Sequence, residues 1–193
     1  MATETVVGTK GIYFITFTCH HWLPLIDTAG AYEDVYNFFA VLNQKGHRVA
    51  GYVIMPNHVH LLLHYSGEGA TLNLLIGNGK RFMAYSVVKK LQEKNRQDLL
   101  LKLKQGVEPK DKARGKLHEV WKPGFDVKPC RTEKFLLQKL HYIHDNPVQG
   151  KWRLASDNAS YEHSSCLFYF YQQQRRCEVI HYQTLLDWEN MYR

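Results

Sequence analysis

The sequence Gly-Tyr-Val-Ile-Met-Pro-Asn-His-Val-His-Leu-Leu-Leu-His occupies residues 51–64 and decides the fold. Two apolar runs, 47–55 and 58–65, flank a Pro-Asn turn, which predicts two adjacent antiparallel strands. Side chains alternate between the two faces of a strand, so His58 and His60 share one face and their apolar neighbours share the other. The two imidazoles would lie about 7 Å apart along such a strand, close enough to bind one metal ion.

The hydrophobic patterns on either side of this stretch predict alternating strands and helices in a single domain that spans residues 1–193. The expected elements, in chain order, are a strand at 11–19, an amphipathic helix at about 30–46, a long helix from residue 71 to at least 91, and a final core helix from Thr132 to Asn146. Gly77 and Gly79 are weak points within the long helix. The extension at 151–193 is too aromatic for a linker, so it is expected to pack back on the core or line a ligand surface.

Length and composition place the chain among folded globular proteins. It has 193 residues, of which 45% are hydrophobic and 13% aromatic, enough to bury one core. No apolar run approaches the roughly 18 residues of a membrane span, and the N-terminus lacks the pattern of a signal peptide. The four cysteines are scattered without a Cys-x-x-Cys pair, which favours reduced thiols. We therefore expect a cytoplasmic protein with no membrane partner.

Positive charge is concentrated in the middle of the chain. The net charge is +7, and residues 80–116 contain twelve Lys and Arg against four Asp and Glu, so the remainder is nearly neutral. A concentrated basic surface is typical of nucleic-acid binding, although a run of charges can also be a solvated helix face. Within this segment, residues 96–116 are charged and poor in aromatics, which predicts a basic, exposed insertion that is partly helical and partly mobile.

A second informative stretch, Leu-His-Tyr-Ile-His-Asp-Asn-Pro-Val, occupies residues 140–148. On a helix, Tyr142 and Asn146 lie four residues apart and share one face. Tyr142 is far from His60 in the chain, so only folding can bring the two together. A lone helical tyrosine or a lone His-x-His strand is a weak indication of a site. The two together, in this order and with a basic segment between them, are a much stronger one.

These motifs resemble those of the single-tyrosine HUH transposases, which include the small transposases of bacterial insertion sequences and the REP-associated tyrosine transposases. The matching segments are Met55–Leu62, Val120–Phe125, Tyr142–Val148 and, more weakly, Tyr161–Ser165. They span most of the chain, and the first and third are specific. The resemblance implies an α+β fold with an antiparallel sheet of four or five strands, helices on one face, and a ferredoxin-like or RRM-like topology. It also implies that the histidines lie on a central strand.

The resemblance further implies a metal-dependent site. His58 and His60 match the two metal ligands of the family, Asn146 matches the third, and Tyr142 matches the nucleophile. The expected cofactor is a divalent metal: Mn²⁺ suits two imidazoles, and Mg²⁺ suits the site with water in the rest of its shell. On a phosphate oxygen, such a metal neutralises charge and orients the reacting bond.

The activity implied by the resemblance is that of a DNA transposase. It nicks and rejoins single-stranded DNA through a covalent 5′-phosphotyrosine intermediate, without ATP, and recognises a hairpin near the cleavage site. The basic residues expected to contact phosphates are Lys80, Arg81, Lys89 and Lys90. When bound to DNA, the protein would be associated with the nucleoid. The family includes monomers as well as homodimers whose tyrosine can come from the partner subunit, so a homodimer stays open.

Two other functions stay open as well. A non-catalytic or domesticated DNA-hairpin-binding protein would need the basic surface but not the set of His58, His60 and Tyr142. A metal phosphohydrolase acting on small nucleotides would turn over its substrate without forming a protein–DNA adduct.

The roles of two further groups of residues also stay open. The His-His-Trp at residues 20–22 either stacks a base or caps the strand end. His144 either polarises a phosphate or, as we expect, lies on the helix surface.

Overall fold

The computed structural model describes residues 8–150 and 152–191. In this part of the chain the strands are β1 (Gly11–Thr18), β2 (Arg48–Met55), β3 (His58–Tyr65) and β4 (Asp126–Pro129). The helices are α1 (Leu25–Ala29), α2 (Tyr32–Gln44), α3 (Leu72–Glu93), α4 (Gln97–Gln105), α5 (Pro109–Lys112), α6 (Glu133–Asp145), α7 (Cys166–Tyr171) and α8 (Tyr182–Met191). A short 3₁₀ turn, His20–Trp22, follows β1. The three longest helices and strands β1 to β3 begin and end within a few residues of the predicted positions.

The strands form one antiparallel sheet in the order β2-β3-β1-β4. β1 pairs with both β3 and β4, and β3 also pairs with β2. A connection containing α2 joins β1 to β2, and another containing α3 joins β3 to β4. With this strand order, these connections give the ferredoxin-like arrangement. The predicted α+β class is therefore confirmed, and the histidine-bearing strand β3 is central, as expected.

The hairpin turn at residues 56–57 holds β2 and β3 in register. Met55 pairs with His58 across this two-residue turn. The turn is anchored to the rest of the fold, because its carbonyl oxygens accept hydrogen bonds from Cys19 N (2.8 Å) and Ile26 N (3.0 Å). Every residue of β3 is buried, so the strand that carries the histidines is held by packing on both of its faces.

Helices cover both faces of the sheet. On one face, Ile15 and Leu61 belong to a core that includes residues of α2 and α3. On the other face, Phe14 and Leu62 belong to a second core that includes residues of α6. The expectation of helices on one face is wrong in this respect. Nearly every residue of β1 and β3 is buried, as in strands that are covered on both sides, so these two central strands leave neither face to water.

The C-terminal region covers the edge of the sheet at β2. Ile54 N donates a hydrogen bond to His163 O (2.9 Å), and Ser165 N donates one to Tyr52 O (3.0 Å). Covering an edge strand satisfies its backbone groups and blocks pairing with other chains. The described part of the aromatic-rich extension therefore packs on the core, as expected, and the fourth and weakest sequence motif lies along this sheet edge.

The basic insertion at 96–116 is only partly exposed. Its helix α4 buries Leu99, Leu100 and Leu103 in the same core as residues of α3. The expectation of an exposed insertion is therefore wrong for α4. The three leucines recur at helical spacing between charged residues, so one face of the helix is apolar and packs inward while the lysines stay in water.

Two glycines in α3 test how closely α2 and α3 pack. A Cβ atom added at Gly79 would lie 2.3 Å from the ring of Phe38 on α2, whereas one at Gly77 would meet no atom within 4 Å. We expect Gly79→Ala to lower the free energy of unfolding by about 1–3 kcal/mol, because overpacking forces the two helices apart. Gly77→Ala is the matched control and should raise it by about 0.5–1 kcal/mol, since alanine is the better helix former. Urea unfolding measures both values, and equal stabilities of the two variants would contradict this packing.

Candidate active site

His58 and His60 lie side by side on β3. Their ring centroids are 4.7 Å apart, and the two residues are only 7% and 4% exposed. Val59 and Leu61 belong to the core on the opposite face of the sheet. The alternation predicted from the sequence is therefore confirmed, and both imidazoles face the side of the sheet on which α6 packs.

A buried asparagine sets the tautomer of His58. Asn57 Nδ2 donates a hydrogen bond to Trp22 O (3.0 Å), which fixes the orientation of the amide. Asn57 Oδ1 then faces His58 Nδ1 at 2.7 Å and can only accept, so Nδ1 carries the proton. In the neutral ring, this leaves the lone pair of His58 Nε2 available to a ligand.

His60 has a similar arrangement with a different partner. Its Nδ1 lies 2.7 Å from the hydroxyl of Thr16 on β1, and its Nε2 is buried without a hydrogen-bond partner. Buried polar atoms are nearly always paired, so this nitrogen is available to a group from outside the chain. Metal-binding histidines typically coordinate through one ring nitrogen while the protein holds the other.

Asn146 joins the histidine pair from the end of α6. It directly follows Asp145, the last residue of that helix, and its side chain is near enough to the His58 imidazole to raise the pKa of that group. Asn146 itself keeps helical backbone angles (φ −54°, ψ −42°), and the helical hydrogen bonding stops here because Pro147 has no backbone N–H to donate. The three predicted metal ligands are thus brought together by β3 and the end of α6.

Burial keeps both imidazoles uncharged at neutral pH. It lowers the pKa of His58 to about 4, against a smaller opposing effect of the hydrogen bond with Asn146. It lowers the pKa of His60 to about 3, with smaller contributions in the same direction from the charges of His58 and Lys139. A neutral imidazole offers its lone pair to a metal without competition from a proton.

Tyr142 lies beside the histidines of its own chain. Its ring centroid is 5.0 Å from that of His60 and 6.1 Å from that of Phe14, edge-to-face in both pairs. The residue is 49% exposed, so a large substrate can reach its hydroxyl. The structure therefore brings all four residues that the sequence predicted for the site into one place.

The donor set at this place suits a divalent metal. Within residues 8–150 and 152–191, no group of three or more His, Cys, Asp or Glu side chains is placed to hold a metal ion. A metal would therefore depend on the two imidazoles and the amide oxygen of Asn146. Such a mixed set of nitrogen and oxygen donors suits Mn²⁺, and Mg²⁺ with water in the remaining positions. The unpaired Nε2 of His60 is the atom that a bound metal would satisfy.

Sequence reasoning did not assign a role in the site to Thr16, Asn57 or Lys139. Lys139 Nζ lies 5.8 Å from the centroid of the Tyr142 ring, which places a positive charge beside the tyrosine. Its position three residues before Tyr142 on a helix could have indicated this. Asn57 was assigned only to the turn. Thr16 meets His60 through the register of β1 with β3, for which the sequence offers no signal.

His144 is buried, contrary to the expectation that it lies on the helix surface. It is 5% exposed, and its Nε2 lies 3.0 Å from the hydroxyl of Ser165. Burial lowers its pKa to about 4. His144 lies four residues after Leu140, on the face of α6 that packs against the sheet, so it attaches the helix to the segment along β2 and does not face the substrate side.

Two of the four predicted phosphate contacts are engaged within the fold. Lys80 Nζ donates hydrogen bonds to the carbonyl oxygens of Lys122 and Gly124, and burial lowers the pKa of Lys80 to about 8. Lys90 Nζ is paired with the Asp34 carboxylate at 2.6 Å. Arg81 and Lys89, the other two cations of the set, are exposed on α3. Lys89 makes only a loose, exposed pair with Glu93 at 3.9 Å, so these two are the better placed for contact with a large anion.

Replacing Asn57 tests whether its side chain orients the His58 ring for metal binding. Asn57→Ala removes both the acceptor for His58 Nδ1 and the donor to Trp22 O, and we expect it to weaken Mn²⁺ binding about 10- to 100-fold, as loss of outer-shell partners does in metal sites. Asn57→Asp is the matched control, since it keeps an acceptor oxygen and should lose less affinity. Calorimetric titration measures the dissociation constants. Unchanged Mn²⁺ affinity in Asn57→Ala would show that this side chain does not orient a ligand.

The fold and the site together define a class of protein: a ferredoxin-like α+β domain in which two buried histidines on a central strand face a tyrosine of one helix and the asparagine that directly follows that helix. A solved structure of a REP-associated tyrosine transposase bound to a REP hairpin is similar over 93% of this chain and 92% of that chain, with a TM-score of 0.57 and 15% sequence identity. A candidate transposase from Deinococcus radiodurans R1 is matched over 75% of this chain and 97% of that chain, with a TM-score of 0.37 and 17% identity.

The first of these likenesses shows that the chain has the fold of a tyrosine transposase. No protein-family model and no curated protein matches the chain. In the described ranges, no helix combines the length and the apolar composition needed to cross a membrane.

Proposed function

We propose that this protein is a single-tyrosine HUH transposase that nicks and rejoins single-stranded DNA through a covalent 5′-phosphotyrosine intermediate, with a divalent metal and without ATP. The observation that carries the proposal is the buried, unpaired Nε2 of His60 beside the exposed ring of Tyr142. Binding of DNA alone does not require a buried pair of imidazoles beside an exposed tyrosine. The fold shared with a REP-associated tyrosine transposase agrees with this proposal.

The reaction exchanges one phosphate ester for another. The Tyr142 oxygen attacks the phosphorus, a bond forms between the tyrosine and the 5′ phosphate, and the bond to the 3′ oxygen breaks. The tyrosine loses one proton and the departing 3′ oxygen gains one, so no co-reactant is needed. Attack by a 3′ hydroxyl on the phosphotyrosine reverses the step and rejoins the strand, which is why no ATP is required.

Each site residue has a part in this reaction. His58, His60 and Asn146 would hold Mg²⁺ or Mn²⁺, whose chemistry here is to neutralise negative charge on the phosphate. Lys139, with Nζ 5.8 Å from the centroid of the Tyr142 ring, attracts the phosphate that approaches the tyrosine. The half-exposed position of Tyr142 on α6 leaves its oxygen open to the DNA strand.

The proposed substrate is single-stranded DNA next to a hairpin. The similar REP-associated tyrosine transposase is bound to a REP hairpin. The basic segment 80–116, with twelve cations against four acidic residues, suits a polyanion. Arg81 and Lys89 are the two exposed cations of the predicted set. We propose them as the main phosphate contacts, because they are less engaged within the fold than Lys80 and Lys90.

Covalent capture on single-stranded DNA tests the proposal. The protein is incubated with Mn²⁺ and a labelled oligonucleotide library in which a random single-stranded segment adjoins a stable hairpin. We expect an adduct that survives denaturing electrophoresis, and peptide mass spectrometry should locate the nucleotide on Tyr142. Hairpin binding without cleavage or adduct, in both Mn²⁺ and Mg²⁺, would favour a non-catalytic hairpin-binding protein. Hydrolysis of mononucleotides without an adduct would favour a phosphohydrolase.

A mixing experiment tests whether the tyrosine acts in its own chain. Because Tyr142 and His60 of one chain are in contact, a mixture of the Tyr142→Phe and His58→Ala variants should form no more adduct than either variant alone. In a homodimer that exchanges its tyrosines, some sites of the mixture would combine intact ligands with an intact tyrosine. Adduct formation that returns on mixing would therefore contradict action within one chain.

A further inference from the structure

Trp22 lies beside the histidine pair with about half of its surface exposed. Its ring centroid is 5.7 Å from that of His58, and the residue is 52% exposed. The ammonium group of Lys122 lies over the Trp22 ring, 4.6 Å from its centroid, in a cation–π contact. An exposed aromatic ring next to a cation is the combination on which unpaired bases stack and to which their phosphates bind.

The chain holds Trp22 in place at a conformational cost. His21 and Trp22 have φ angles of 48° and 58°, a region that residues other than glycine seldom occupy. The Trp22 carbonyl accepts the hydrogen bond from Asn57 Nδ2 (3.0 Å), and the same amide orients His58. One buried side chain thus fixes both the exposed tryptophan and the neighbouring imidazole, which ties the position of Trp22 to the site.

A cleft begins at Lys122. It has a volume of 770 Å³ and lies between α3 and residues 114–125. Glu119, the one acidic residue among those that line it, is buried and paired with Lys116 at 2.6 Å. The cleft therefore presents an excess of positive charge, and its lining cations are Lys80, Arg81, Lys89, Arg114, Lys116 and Lys122.

The cleft also offers an aromatic surface. Tyr85 of α3 lines it and is 65% exposed, between the exposed cations Arg81 and Lys89 on the same helix. Residues 81, 85 and 89 are spaced by four, so their side chains share one helix face. Unpaired bases stack on such rings whatever their identity, and a chain of phosphates matches the charge on either side.

We propose that the single-stranded DNA flanking the cleavage point lies across Trp22 and continues into this cleft. One base stacks on Trp22, phosphates contact Lys122 and the cations of α3, and a further base stacks on Tyr85. This inference rests on the proposed function for the choice of DNA as the nucleic acid. It adds a binding path that starts at the histidine pair and is built from residues outside the proposed metal site.

Binding without metal tests the first part of this path separately from the chemistry. Fluorescence anisotropy in EDTA compares a labelled hairpin that carries a single-stranded tail with the same hairpin without one. Trp22→Ala should weaken binding of the tailed hairpin about 5- to 150-fold, the range for one stacked base. Trp22→Phe keeps a ring and should retain most of the affinity, and the tail-less hairpin should not distinguish the variants. Equal affinity of Trp22→Ala and the wild type for the tailed hairpin would overturn the inference.

Charge reversal tests the cleft without altering Trp22. The double variant Arg81→Glu, Lys89→Glu should weaken binding of the tailed hairpin at least about tenfold and reduce its salt dependence, because two phosphate contacts are lost. Lys45→Glu, Lys134→Glu makes the same change in charge at exposed residues outside both the cleft and the basic segment 80–116 and should lose much less. Equal losses in the two double variants would show a general electrostatic effect and would overturn the cleft as the path.

The outcomes separate this inference from the proposed function. If the Trp22 and cleft variants lose affinity while the wild type forms no adduct in Mn²⁺, the proposed function fails and the binding path stands. If the adduct forms and the variants bind like the wild type, the path fails and the proposed function stands. An RNA tail bound more tightly than the DNA tail would overturn the assignment of the path to DNA.

Discussion

Tyr142→Phe is expected to lower the rate of covalent adduct formation by at least about 10³-fold, because the variant lacks the attacking oxygen. DNA binding and stability should stay near the wild-type values. The phenylalanine ring keeps the contacts with His60 and Phe14, whose ring centroids lie 5.0 and 6.1 Å from that of Tyr142. Tyr142 is 49% exposed, and substitutions at such positions usually change the free energy of unfolding by about 0.5 kcal/mol or less.

The measurement combines three readouts on an oligonucleotide captured by the wild type. Denaturing electrophoresis quantifies the adduct in Mn²⁺, anisotropy gives the affinity for DNA, and thermal unfolding gives the stability. Tyr171→Phe is the matched control, because Tyr171 is also exposed, at 62%, and lies outside the site; this variant should form the adduct at the wild-type rate. A wild-type level of adduct in Tyr142→Phe would refute the assignment of the nucleophile.

The parts of the site that lie on a single element were predictable from spacing. The two-residue period of β3 placed His58 and His60 on one face, and the four-residue spacing on α6 placed Asn146 near Tyr142. Backbone geometry alone fixes such relations, so they hold before any tertiary contact is known. Spacing did not show that the two elements meet; that expectation came from the order of the motifs and their resemblance to a known family.

Contacts between distant parts of the chain were not predictable in the same way. The amide of Asn57 is oriented by the carbonyl of Trp22, 35 residues away. Lys90 was counted among the cations available to DNA, but its ammonium group pairs with Asp34, 56 residues away. A list of charges records their number and order, whereas the fold decides which of them are neutralised by partners on other helices.

The covering of the sheet on both faces is another feature that depends on contacts between distant parts of the chain and was not predicted from the sequence. Phe14 and Leu62 point away from the core formed with α2 and α3, and they need α6 to exclude water from them. The apolar runs of β1 and β3 fit strands buried on both sides, yet the motif-based expectation placed helices on one face. His144 was misplaced for a related reason, because the face of α6 on which it lies is buried against the sheet and the C-terminal segment.

His60→Ala is expected to remove most of the metal affinity of the site. His60 supplies one of the two imidazoles in the proposed ligand set, and its Nε2 is buried without a hydrogen-bond partner. Loss of outer-shell partners alone weakens metal sites about 10- to 100-fold, so loss of a ligand should exceed about 100-fold. Metal-dependent cleavage should disappear with it. His141→Ala is the matched control, because His141 is exposed on α6 next to Tyr142 and is not among the proposed ligands.

The sharpest readout is the stabilisation of each variant by Mn²⁺, because replacing a buried ring also changes stability without metal. At an Mn²⁺ concentration of 100 times the wild-type dissociation constant, the wild type and His141→Ala should gain about 2.7 kcal/mol in the free energy of unfolding. A variant with 100-fold weaker binding gains only about 0.4 kcal/mol at that concentration. The gain is a difference between two samples of one variant, so the effect of the lost ring cancels. A gain in His60→Ala equal to that of the wild type would rule out His60 as a ligand, even if the variant had lost its activity for another reason.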